Sequence, residues 1–373
     1  MFLLEQSWFF MNFIYRTFGI YPLERVGKVD LKPTSSCCFW FRYLVTFTLV
    51  MVILVVPIEY ATNLQDFLLA FVAEIGVTAY DMISLAATFV TNFGLHVKCV
   101  SKLGNFKKRF SDLQHFVNTK HTMELKNNAY GLNFYKYLLP YLFFVVTATI
   151  LNYMGWMYSM KLNLSNLETN LIITSACIYN FFFFNPLFYF TTLYIEVTIK
   201  LAHYCKMIAE RSTSMILEES KILITSLKDF ASIYSSLLIW IFSLNFIFAI
   251  IVAFFIYVKG TTTFSNFDIP WYDYCPIIGM VSTLVYLICM FYTYCSLSED
   301  IANNVQNLKL EILKRGYQHG QVDYILQELD DFKGFDADGY FTVNHSLFTG
   351  MATNFATFLV ILIQFKQAES PSV

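Results

Sequence analysis

Charge is scarce in this chain: Asp, Glu, Lys and Arg make up 14% of its 373 residues, against roughly a quarter in an ordinary soluble domain. No soluble domain is visible, because no stretch outside the apolar segments is long enough to bury a core of its own. The net charge of −2 carries no sign of a nucleic-acid partner. No Gly-rich phosphate loop follows a strand, no metal-ligand spacing recurs, and the six His are scattered. These absences point away from an enzyme and from any bound metal or cofactor. The eight Cys form no regular framework. Cys37, Cys38, Cys99 and Cys205 flank apolar segments, and Cys177, Cys275, Cys289 and Cys295 lie in them or at their edges. They read as buried or lipid-facing thiols rather than as disulfides, with Cys37–Cys38 also placed for acylation beside a membrane helix.

What is abundant is apolar surface. Hydrophobic residues make up 57% of the chain, aromatics 19% with 40 Phe, and the mean hydropathy is +0.52. A globule of this size could not hide that surface from water, so lipid is its solvent. Seven segments can cross a bilayer, which takes about 20 residues each: 38–58, 67–95, 135–158, 171–199, 233–258, 274–298 and 345–365. The expected fold is therefore an all-α membrane protein, one seven-helix domain over 1–373 behind a tail of 1–37. Met1–Leu4 is followed by Glu5 and by no small-residue cleavage site, unlike a signal peptide. Trp8–Ile14 is too short to span and suits an interfacial position.

Orientation follows from Lys and Arg in the connections. The N-terminal tail and the second-to-third, fourth-to-fifth and sixth-to-seventh connections hold twenty; the opposite side holds three, Lys161, Lys259 and Lys366. This places the N-terminus in the cytosol and the C-terminus outside. The acceptor triplet at Asn163 then lies outside and can carry glycan, whereas Asn344-His345-Ser346 stays bare. Below the membrane, Ile301, Val305, Leu308, Ile312 and Leu313 recur at helical spacing, extending the sixth helix to about 315. A short cytosolic helix over 321–332 follows, with Val322, Ile325, Leu326 and Leu329 on one face. These extensions of helices four to seven form a cytosolic anchor that wants lipid headgroups or a neighbouring subunit as partner surface.

The seventh segment differs from the other six. Ser346, Gly350, Thr353, Thr357, Ile361 and Gln364 fall at spacings of three and four along one face, bordered by Thr349, while Phe348, Phe355, Leu359 and Leu362 occupy the other. A small and polar stripe on a membrane helix either packs closely against a neighbour or faces water. Glu74 and Asp81, seven apart on the second helix, are intramembrane carboxylates suited to ligand contact, ion passage or a buried polar clasp. Asn185-Pro186-Leu187-Phe188-Tyr189 matches a string of G-protein-coupled receptors, but in the fourth segment and in the opposite orientation, so it reads as a proline kink. Asp336-Ala337-Asp338-Gly339 lacks the flanking ligands of a calcium loop and reads as a turn. A secondary transporter would show internal repeats, and none is visible between the halves.

The run Gly339-Tyr340-Phe341-Thr342-Val343-Asn344-His345-Ser346-Leu347-Phe348, followed by Thr357-Phe358 and then Gln364-Phe365, resembles the C-terminal signature of the insect gustatory receptors, relatives of the insect odorant receptors. Phe358 stands where that family usually has Tyr, and Phe18-Gly19-Ile20-Tyr21-Pro22 is similar to its opening turn. The resemblance implies a chemosensory receptor in the plasma membrane of sensory neurons. It also implies a ligand-gated, non-selective cation channel of four subunits, homomeric or built with related chains, with the seventh helices around one pore. Thr353, Thr357 and Ile361 become pore lining on that reading, and Gln364 with Phe365 the outer gate. A tastant pocket would open outward within each bundle, with Asn152, Tyr153, Trp156, Tyr179, Asn180, Asn245, Tyr257 and Tyr286 as candidate walls beside Glu74 and Asp81. Leu359 replaces an acidic residue common in the main sugar-receptor group, which points to a bitter plant metabolite or a divergent sugar as ligand.

Overall fold

The computed structural model describes residues 23–26, 30–33, 194–210, 213–264, 274–315 and 320–369, with isolated positions at 137, 143, 147, 150, 151 and 191. Most of these residues are helical. The departure from an all-α chain is a small hairpin in the N-terminal tail, β1 (Leu23–Val26) antiparallel to β2 (Asp30–Pro33). The register runs from Leu23 opposite Pro33 to Val26 opposite Asp30. Pro33 closes the ladder at its end, where a missing N–H costs least.

Helix α1 covers 194–210; α2 is Thr213–Phe264, α3 Tyr274–Lys314, α4 Gly320–Asp331 and α5 His345–Glu369. Among the described residues three stretches are long and apolar enough to span a membrane, Met215–Thr261, Ile277–Lys314 and His345–Ala368. At 1.5 Å per residue α2 is about 78 Å long and α3 about 62 Å, against a hydrocarbon core of about 30 Å. Both therefore run on as helices far outside lipid.

Those extensions keep one buried face. Ile216, Leu223, Leu227, Phe230 and Tyr234 are buried along α2, and Ile301, Val305, Leu308 and Ile312 along α3. Leu313, next to Ile312, is turned outward and half exposed. Helix α4 buries Val322, Ile325 and Leu329 against this pair. An aromatic cluster ties the layers together. Tyr194 of α1 lies 4.3 Å, centroid to centroid, from Tyr294 of α3 and 5.3 Å from Tyr234 of α2. The Tyr194 hydroxyl donates to the Tyr294 carbonyl at 3.3 Å, so its polar end is satisfied inside the core. Such ring pairs add about 0.5–1.5 kcal/mol each beyond the area they bury.

Between α4 and α5 the chain makes a short hairpin rather than a ligand loop. Ala337 N–H donates to the Phe341 carbonyl at 2.9 Å and Val343 N–H to the Phe335 carbonyl at 2.8 Å. The Asp336 carboxylate accepts the Gly339 N–H, which turns the chain as an Asx turn does. Asp338 and Gly339 take φ of 48° and 79°, left-handed values that Asp and Gly tolerate best. The hairpin carries Phe335 into the aromatic cluster, 5.0 Å from Phe230 and 5.7 Å from Tyr194.

Candidate pore helix and its anchor

Helix α5 is fixed firmly at its base. The Asn344 side chain accepts the Leu347 N–H at 2.9 Å, an N-cap. Glu299, reaching across from α3, accepts the His345 N–H at 3.1 Å. Two oxygens thus meet the positive end of the helix, and one is a carboxylate, which the helix dipole favours. The His345 ring lies 5.6 Å from that of Tyr292, with its Nε2 3.8 Å from Glu299. Leu347, Phe348, Met351 and Phe355 pack on the core cluster. Higher up, contact thins. Leu359, Leu362 and Ile363 are half-buried, and no residue of the apolar window is buried within the chain.

The stripe read from the sequence stands on the exposed side. Ser346, Gly350, Thr353, Thr357, Ile361 and Gln364 are all exposed, and Phe365 is 63% exposed. A Cβ added at Gly350 would meet nothing within 4 Å. The hydroxyls of Thr349, Thr353 and Thr357 donate to the carbonyls of His345, Thr349 and Thr353 at 3.0, 3.1 and 3.1 Å. With each proton spent on the backbone, what these hydroxyls offer outward is oxygen lone pairs. That suits a cation or a water donor and ill suits lipid.

The described pocket candidates divide. Asn245 and Tyr286 are buried, on α2 and α3, and the Asn245 amide donates to its own helix at Ile241 O, 2.7 Å away. Tyr257 is half-buried near the end of α2, where its hydroxyl accepts from Gln367 Nε2 at 3.2 Å. Glu74, Asp81, Asn152, Tyr153, Trp156, Asn163, Tyr179 and Asn180 lie outside the described residues. Among the described residues no group of three His, Cys, Asp or Glu could hold a metal. Cys205 is buried and desolvation pushes its thiol up to about 12, which disfavours the nucleophilic thiolate. Gln367 and Glu299 were missed in the sequence: each acts on a partner distant in the chain, and neither belongs to a local pattern.

The anchor below is clasped by charge. Lys228 of α2 pairs with Glu328 of α4, and Lys309 of α3 with Asp330 at 2.5 Å. The Lys228 ammonium holds the Glu328 carboxyl below its usual range, and Lys309 does the same to Asp330. With depressed folded values, both contributions are complete at neutral pH and are lost only as pH falls through the carboxylate range. Lys228→Glu is expected to lower the melting temperature in detergent by a few degrees. The swap Lys228→Glu with Glu328→Lys should restore it. Failure of the swap to recover the loss would mean that the pair does not hold α4.

The model of the 7tm Chemosensory receptor family matches residues 9–369. The fold is similar to that of the insect olfactory receptor OR5 from Machilis hrabei. Its structure in complex with eugenol matches with a TM-score of 0.64 at 14% identity, over 96% of this chain and 98% of that one. A second structure of the same receptor matches with a TM-score of 0.63, also at 14% identity, over 98% and 99%. No curated protein matches the chain.

Proposed function

The chain belongs to the 7tm chemosensory receptor family, a multi-pass membrane receptor and not an enzyme, and from that premise we propose that it is a gustatory receptor acting as a ligand-gated, non-selective cation channel. Four copies, identical or related, bring their α5 helices around one pore, with the N-terminus cytosolic and the C-terminus outside. The carrying observation is the exposed stripe of α5. Three hydroxyls with outward lone pairs and the Gln364 amide stand on a membrane-length helix, on the face that its own bundle leaves uncovered. Polar groups facing lipid are costly, and a water-filled axis removes that cost. The family signature at Gln364-Phe365 supports placing the gate at the outer end. The ligand is a small tastant, a bitter plant metabolite or a sugar, held in a pocket within each bundle. The similar OR5 was solved with eugenol, a small ligand, which supports a site of that scale. Among the described pocket candidates Asn245 and Tyr286 are the buried ones.

Aqueous labelling tests the pore assignment without an agonist. In a background made leaky by Phe365→Ala, single cysteines at 353, 357, 361 and 364 should react with an extracellular cationic thiosulfonate and alter the current. Cysteines at 359 and 362, on the half-buried face, should react more slowly, because thiol reactivity follows exposure to water. Equal rates on both faces would show that the stripe does not line water. A calcium-imaging screen of cells expressing the chain against plant metabolites and sugars identifies the tastant.

A further inference from the structure

A side-chain hydrogen bond that the gate reading does not use joins the outer end of α5 to α2, from Gln367 Nε2 to the Tyr257 hydroxyl. We propose that Tyr257 and Gln367 form a latch that fixes the rotation of the last turn of α5 and so positions the gate; the inference rests on α5 being the pore helix.

The geometry of the helix carries it. The base of α5 is held by directed bonds at Asn344 and Glu299. Its middle rests on half-buried Met351, Phe355, Leu359 and Leu362. Apolar contact is not directional, so it resists separation of α5 from the bundle far better than rotation about the helix axis. A hydrogen bond weakens steeply with angle and therefore defines an azimuth. Gln367 and Phe365 are two positions apart, about 200° around a helix. Holding Gln367 against α2 thus turns Phe365 to the opposite side, away from the bundle. There it is largely exposed in the single chain. Tyr257 is also well placed to transmit. Twelve residues back along the same helix, about 18 Å, lies buried Asn245. Movement of α2 around a ligand would reach the gate through this bond. Tyr257 is then a positioning residue rather than a wall of the pocket.

Tyr257→Phe removes the hydroxyl alone, and Gln367→Leu removes the amide while keeping bulk. Whole-cell cation current is measured without ligand, normalised to surface protein, for each variant and for the pair. Each single variant should raise the ligand-independent open-to-closed ratio at least about five-fold, the scale of one hydrogen bond, since every subunit loses one. The double variant should go no further, because both changes break the same bond. Unchanged current per surface channel in either single variant, or additive effects in the double, would overturn the latch. Phe365→Ala measured alongside separates the two ideas. Raised current there with silent Tyr257→Phe removes the latch alone; baseline current in Phe365→Ala removes the pore reading, and the latch with it.

Discussion

Phe365→Ala is expected to raise ligand-independent cation current about ten-fold or more, with surface expression unchanged. Phe365 is 63% exposed in the single chain and lies in the last turns of a helix whose membrane window buries nothing within its own bundle. A large apolar ring left uncovered at the end of a polar stripe has two fates, lipid or a neighbour. If copies meet at an axis, their rings bury one another and exclude the water column that ions need, so the pore closes by dewetting. Burying one Phe side chain is worth about 1.5–3 kcal/mol. Even one ring's share of the closed state therefore biases the equilibrium by about a factor of ten, and a symmetric set by more. The Tyr257–Gln367 bond is untouched by this substitution, so the helix end should stay in place while its plug is gone. If α5 instead only packs against a neighbouring helix, the same truncation should reduce assembly and leave the current per assembled channel unaltered. Patch-clamp recording paired with surface biotinylation separates the two outcomes.

Periodicity made much of the described fold legible. Ile301, Val305, Leu308 and Ile312 mark a helical face in the sequence, and all four are buried in α3. Val322, Ile325 and Leu329 do the same for α4. The stripe of α5 was legible for the same reason, since a polar position every third or fourth residue must stand on one side of a helix. The early start of α2 at Thr213, twenty residues before the segment expected at 233–258, was not drawn from the sequence, although buried Ile216, Leu223, Leu227 and Phe230 keep helical spacing. Attention to hydropathy alone hides it: Glu218, Glu219, Lys221 and Lys228 break the apolar run without breaking the helix. The hairpin β1–β2 was not legible, since four-residue strands with charges at Glu24, Arg25, Asp30 and Lys32 show too little alternation to announce a pairing.

What pattern could not supply is contact between distant residues. Glu299 caps a helix that begins 46 residues later. Gln367 meets Tyr257 across 110 residues. The sequence shows Tyr257 only as an aromatic in the outer half of a helix, which made it a candidate pocket wall; the bond to Gln367 gives its hydroxyl a different employment. The same holds for Phe335. In a stretch of Gly and Asp it reads as part of a turn, and nothing local says that it is drawn into a pocket of Tyr194, Phe230 and Phe332.

That pocket leads to the largest expected loss of stability, from Phe335→Ala. The ring is fully buried, and the backbone on either side is committed: the Phe335 N–H donates to Ser298 Oγ at 2.9 Å and the carbonyl accepts from Val343 N–H at 2.8 Å. With the chain pinned to α3 and to its own hairpin, the walls cannot close over the space the ring leaves. Truncating a buried Phe costs about 3–5 kcal/mol when the site fails to collapse. Gly334→Ala should come second. Its φ of 116° suits only glycine, and an added Cβ would stand 3.0 Å from Ser298 Oγ, the atom that receives the Phe335 N–H. Tyr340→Ala serves as the control: at 79% exposure on the tip of the same hairpin, it should stay within about 0.5 kcal/mol. Melting of the purified protein in detergent, followed by size-exclusion recovery, ranks the three. Comparable losses for Tyr340→Ala and Phe335→Ala would mean that the hairpin is held by its tip and not by the buried ring. The order matters for gating because the hairpin ends at Asn344, the cap of α5. A chain that loses its grip on Phe335 releases the base of α5, and on the proposed channel reading the protein should lose assembly before it loses its helices.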